Sequence, residues 1–143
     1  MRTEASTLKP PEPYRASYLR LGYSATTHVQ SDNSLRCTVT DDEGSLADEA
    51  LDESWLPHPR HPDSGFVFEG SQIPCFKDAR DLCLQLHAKL PHDPIVGWDI
   101  GVTQSGKIEI IEWNSGHTDI KFSEATVGPI FAGCDFGRFQ LGH

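Results

Sequence analysis

Basic residues are scarce in this chain. Twelve lysines and arginines stand against 21 aspartates and glutamates, for a formal net charge of −9. No basic stripe is visible, which argues against a nucleic-acid backbone as the main partner. Long apolar runs are missing too, and none approaches the ~20 residues needed to span a bilayer, so no membrane partner is expected. The first eleven residues lack the apolar core of a signal peptide, and a cytoplasmic protein is expected. The four cysteines (Cys37, Cys75, Cys83 and Cys134) form no C-x-x-C pair. Without a secretory signal they read as reduced thiols. His58 and His61 lie on a proline-rich loop with no cysteine at ligand spacing, so structural zinc is not expected.

What is present fits one domain of 143 residues. Residues 1–13, with prolines at 10, 11 and 13, read as a flexible lead-in, and residues 14–143 as the domain. Residues 14–23 read as a strand ending at Gly22; it carries Arg15 and Arg20, and Arg20 is a candidate phosphate contact. A turn at residues 31–34 precedes an alternating strand over 35–40. Residues 41–44 have turn chemistry, 48–53 are acidic and solvated, and 57–65 form a loop and turn. Phe76, Ala79, Leu82, Cys83, Leu86 and Leu90 recur at spacings of three and four, the pattern of an amphipathic helix, and Pro91 stops it. The residues after Asn114 read as a loop containing Lys121, followed by a poorly periodic tail.

Residues 94–114 organise the rest. β-branched runs flank Ser105-Gly106, which predicts two strands joined by a two-residue turn. That register places Asp99 opposite Glu112, on a face shared with Gly97, Gly101 and Asn114. Val96, Trp98, Ile100 and Val102 share the other face with Glu109, Ile111 and Trp113, and the helix is expected to pack there. Like charges directly opposite across strands are destabilising and call for a compensating cation or a shared proton. Glycines flanking Asp99 leave room for a ligand. Oxygen donors from Asp99, Glu112 and Asn114 would suit Mg²⁺ or Mn²⁺ better than Zn²⁺. An edge hairpin with both acids in water is the plain alternative. A retaining glycosidase also uses two close carboxylates, but Trp98 and Trp113 lie on the wrong face to line a sugar cleft.

The hairpin with Gly97-Trp98-Asp99-Ile100 and Glu112-Trp113-Asn114 resembles the metal-binding end of an ATP-grasp domain, in the sugar-transfer-associated branch. His61-Pro62-Asp63-Ser64-Gly65, Ile73-Pro74, the helix, and Lys121-Phe122-Ser123-Glu124-Ala125 come in the order of that branch. The resemblance implies an α+β fold, a mostly antiparallel sheet with one main packed helix. It also implies ATP and Mg²⁺ as cofactors, with Asp99, Glu112 and Asn114 holding the metal. Arg20 would be catalytic, and Asn33 and Lys121 would serve the nucleotide. The activity implied is carboxylate activation as an acyl phosphate, followed by attack of an amine or other nucleophile, in a polysaccharide or sugar-transfer setting. An ATP-grasp domain has two lobes, and this chain resembles the C-terminal one. A ligase would then need the other lobe from a complementary chain or a second copy. The alternative is a non-catalytic remnant that binds metal or nucleotide.

Overall fold

The computed structural model describes residues 1–6, 14–25, 33–116 and 118–134, with no side-chain description for residues 4–6. The predicted turn residues Ser31 and Asp32, the lead-in over 7–13, His117 and the end of the tail fall outside the described residues. Among the described residues no helix is long and apolar enough to cross a membrane.

Among the described residues, seven antiparallel strands form one sheet: β1 (Arg2–Ser6), β2 (Tyr14–Gly22), β3 (Ser34–Thr38), β4 (Ala50–Leu51), β5 (Pro57–His58), β6 (Ile95–Val102) and β7 (Ile108–Asn114). Their order is β5-β4-β3-β2-β1-β6-β7. Two helices among the described residues, α1 (Phe76–His87) and α2 (Ile120–Val127), complete the α+β fold, as expected for a partial ATP-grasp lobe.

The position of β1 corrects, for residues 2–6, the reading of the N-terminal segment as a flexible lead-in. Residues 2–6 are an inner strand, hydrogen-bonded to β2 on one side and β6 on the other. The segment is polar, so it carries no apolar period, yet pairing on both edges satisfies its backbone. Thr3 is fully buried and its hydroxyl meets that of Ser17 at 2.8 Å.

Alternation assigns the two faces of the sheet. One face carries Leu35, Cys37, Val96, Trp98 and Ile100, and α1 packs on it through Phe76, Ala79 and Cys83. The helix is amphipathic as predicted, but its span ends at His87, before Pro91. The other face carries Arg2, Tyr18, Arg20, Arg36 and Asp99. There Phe122 of α2 packs on Tyr18, with ring centroids 4.8 Å apart. Lys121 therefore belongs to the first turn of a helix, not to a loop. Only eight residues long, that helix is too short for the 3.6-residue period to stand out.

The hairpin loop holds three residues, not two. Thr103 N–H donates to Lys107 O at 2.9 Å, Gly106 N–H donates to Thr103 O at 2.9 Å, and Gly106 takes a left-handed φ of 80°. This is a three-residue hairpin loop closed by a glycine in the left-handed region. It pairs Val102 with Ile108 and Ile100 with Ile110. Ile108 and Ile110 therefore join the α1 core, whereas Ile111, placed there by the two-residue register, is 71% exposed.

Candidate functional site

A row of charged side chains crosses the face opposite α1. Arg20 on β2 is paired with Arg36 on β3, and Tyr18 on β2 with Arg2 on β1. Arg2 is paired with Asp99 on β6, and Asp99 with Glu112 on β7. Directly opposed residues share a face, so strand pairing alone collects Arg36, Arg20, Tyr18, Arg2, Asp99 and Glu112.

The Asp99–Glu112 opposition survives the unexpected loop because a β-bulge reverses its effect. The register shifts between Asp99 and Ile100, and Ile111 is left as the extra residue on β7. Beyond it Asp99 meets Glu112, Trp98 meets Trp113, and Gly97 meets Asn114. The two indoles stack with centroids 6.3 Å apart.

A cation compensates the opposed acids, and it is Arg2. Its Nη1 donates to Asp99 Oδ1 at 2.8 Å, and its Nε donates to Thr118 O at 3.2 Å. The residue is 4% exposed. Its guanidinium lies over Gly97, where an added Cβ would overlap Nη2. Gly97 is thus needed for the arginine, a correction to its reading as ligand space; beside Gly101 the neighbouring atoms belong to Ile111. Asp99 Oδ2 and the Glu112 carboxylate accept no hydrogen bond among the described residues.

Further along the row, Asp119 bridges the opposed arginines. Its Oδ2 accepts from Tyr18 Oη at 2.8 Å and from Arg20 Nη2 at 3.2 Å, and lies 3.9 Å from Arg36 Nη1. Asp119 precedes α2 in a left-handed conformation, φ 53°, and makes no side-chain cap. An aspartate at that position ordinarily caps the helix; here the arginines hold it instead. Burial pushes the Tyr18 phenol well above its usual range, so it stays a neutral donor. Arg36 lies beneath Phe122 and Trp55, 4.8 and 5.4 Å from the ring centroids.

Two adjoining cavities open on this row and share Arg2 and Arg20. One, of about 450 Å³, reaches Asp99 and Glu112; the other, of about 510 Å³, reaches Thr118, Asp119 and Lys121. The fold thus gathers Arg20, Asp99, Glu112 and Lys121 from the sequence reading. Asn114 stands across from Gly97 beside them. Asn33, just before β3, lines neither cavity.

Arg2, Tyr18, Arg36 and Asp119 are residues that sequence reasoning missed. Arg36 carried a usable signal: an arginine alternating with Leu35 and Cys37 points away from the core. Arg2 carried none, because the prolines that follow mask the strand.

As a metal site the donor set is two carboxylates and one amide, all hard oxygen donors, which fits Mg²⁺ or Mn²⁺. Among the described residues no group of three or more His, Cys, Asp or Glu is placed to hold a metal ion. Asn114, the third donor named from the sequence, lines neither cavity. A family model described as sugar-transfer associated ATP-grasp matches residues 13–129. No curated protein and no solved structure matches the chain.

Proposed function

The chain belongs to the sugar-transfer associated ATP-grasp family, and from that premise we propose that it supplies the metal- and phosphate-binding part of an ATP-dependent carboxylate ligase. The observation that carries this reading is the Asp99–Glu112 opposition at the mouth of a cavity shared with Arg2 and Arg20. A protein of net charge −9 here concentrates cations on one sheet face, which suits a polyanion.

Asp99, Glu112 and Asn114 would hold Mg²⁺ or Mn²⁺. When bound, the metal supplies charge neutralisation on the phosphates of ATP. Arg20 would contact a transferring phosphoryl group, and Lys121, which lines the second cavity with it, would contact the nucleotide. Tyr18 orients Arg20, since Arg20 Nη2 donates to its hydroxyl at 2.9 Å. A carboxylate would take the phosphoryl group as an acyl phosphate, from which an amine or other nucleophile displaces phosphate, in a polysaccharide or sugar-transfer setting. A complementary lobe or a second copy would close the site. The four cysteines are free thiols, which supports a reducing compartment such as the cytoplasm.

One observation favours a second reading, a binding module without turnover. Arg20 and Asp99 each already hold an intrachain partner of opposite charge. Calorimetric titration with Mg²⁺ and a non-hydrolysable ATP analogue, together and separately, tests the shared claim. Metal-dependent nucleotide binding at micromolar affinity supports it, and no nucleotide binding in either condition removes it. Phosphate release from ATP, assayed on the same sample, separates ligase from module.

A further inference from the structure

The family match begins at residue 13, so Arg2 lies outside it, yet Arg2 is the most deeply engaged cation of the site. It comes from an inner strand, is 4% exposed, and ends on one oxygen of Asp99. Gly97 leaves the volume in which its guanidinium lies. Asp99 and Glu112 would otherwise face each other as like charges, an arrangement that destabilises a sheet.

We propose that Arg2 is the resident counter-cation of the Asp99–Glu112 pair, doing in the metal-free chain part of what a divalent ion does in the loaded one. This inference rests on the reading of Asp99 and Glu112 as the metal site. Arg2 is a positioning residue. It holds Asp99 through Oδ1, leaves Oδ2 for a ligand, and keeps the hairpin paired while no metal is present. Its charge also means that a divalent ion arriving at Asp99 meets a neighbouring cation. The site is therefore better matched to a metal that brings phosphate oxygens with it than to a bare ion.

The test is thermal melting of chelator-treated wild type, Arg2→Met, Arg2→Lys and Arg2→Met/Glu112→Gln, each with and without millimolar Mg²⁺ or Mn²⁺. Arg2→Met should lower Tm by about 5 °C or more, and divalent metal should restore a large part of that loss. Adding Glu112→Gln should recover stability without metal and abolish the metal response. Arg2→Lys should keep most of the wild-type Tm and show little dependence on metal. A merely structural arginine would give a loss that neither metal nor Glu112→Gln relieves, and that result overturns the proposal. Should Arg2→Met fail to fold, Gly97→Ala carries the same test: its methyl pushes the guanidinium off its place over Gly97 without changing the charge and should show the same recovery with metal. Nucleotide titration of the wild type is read separately. Failure there removes the ATP reading, while the metal response of the melts still decides the role of Arg2.

Discussion

Asp99 faces Glu112 across the β6–β7 hairpin because two register shifts of opposite sense cancel. The three-residue loop closed by Gly106 moves the pairing by one, and the bulge at Ile111 moves it back. Between the two shifts, Ile108 and Ile110 face the α1 core. Beyond the bulge, the acids share a face with Arg2 and Arg20. One hairpin thus serves a core near its turn and a charged site further along.

The two acids should respond differently to neutralisation. Asp99→Asn leaves a buried guanidinium without its anion and should cost about 2–4 kcal/mol. Glu112→Gln removes only the like-charge opposition and should be neutral or stabilising by ~0.5 kcal/mol. Both should abolish divalent-cation binding. Denaturant melts give the first comparison and calorimetry the second; unchanged metal affinity in either variant would remove the opposed-carboxylate site.

Gly106→Ala should destabilise the hairpin by about 1 kcal/mol, since its φ of 80° suits glycine. Because the loop sets the pairing before the bulge, hydrogen exchange should quicken in Val102 and Ile108 more than in α1. Equal quickening in both would mean that the hairpin opens only with the whole fold.

Arg20→Met should weaken binding of a metal–ATP analogue by about tenfold or more, as expected for a lost charge-assisted contact of ~1.4 kcal/mol or more. Lys121→Met, at an exposed helix position, should weaken it by about threefold. Isothermal titration gives both numbers. Wild-type affinity in Arg20→Met would place the phosphates elsewhere.

Thiol chemistry should sort the cysteines by depth. Cys75 is exposed, whereas Cys37 and Cys83 are buried, and burial pushes each of these two thiols up to about 12 from an ordinary 9. A disulfide reagent at neutral pH should label Cys75 promptly and the buried pair only on unfolding. The raised thiols stay protonated in the folded chain while the unfolded chain ionises. Stability is therefore unaffected by them below about pH 9 and falls as pH rises toward about 12. Prompt labelling of Cys83 in the native chain would show that α1 opens readily.

Much of the scaffold was legible in the sequence. The alternation over residues 35–40, the helix spacing from Phe76 and the paired acids of the hairpin are local patterns, and each found its element. The family followed from ordered short motifs. Asn33 entered on resemblance alone, and in the fold it lines neither cavity. The short helix bearing Lys121 left too few residues for a period to show.

Alternation and helical spacing are read within one stretch of chain, because those periods belong to the backbone geometry of a single segment. That Arg2 meets Asp99, 97 positions away, and that Arg20 and Arg36 converge on Asp119, emerges from the packed fold alone. Strand order and register are set by pairing between distant segments. A polar strand such as residues 2–6 acquires its structure from the two neighbours that satisfy its backbone, and no pattern within it announces them.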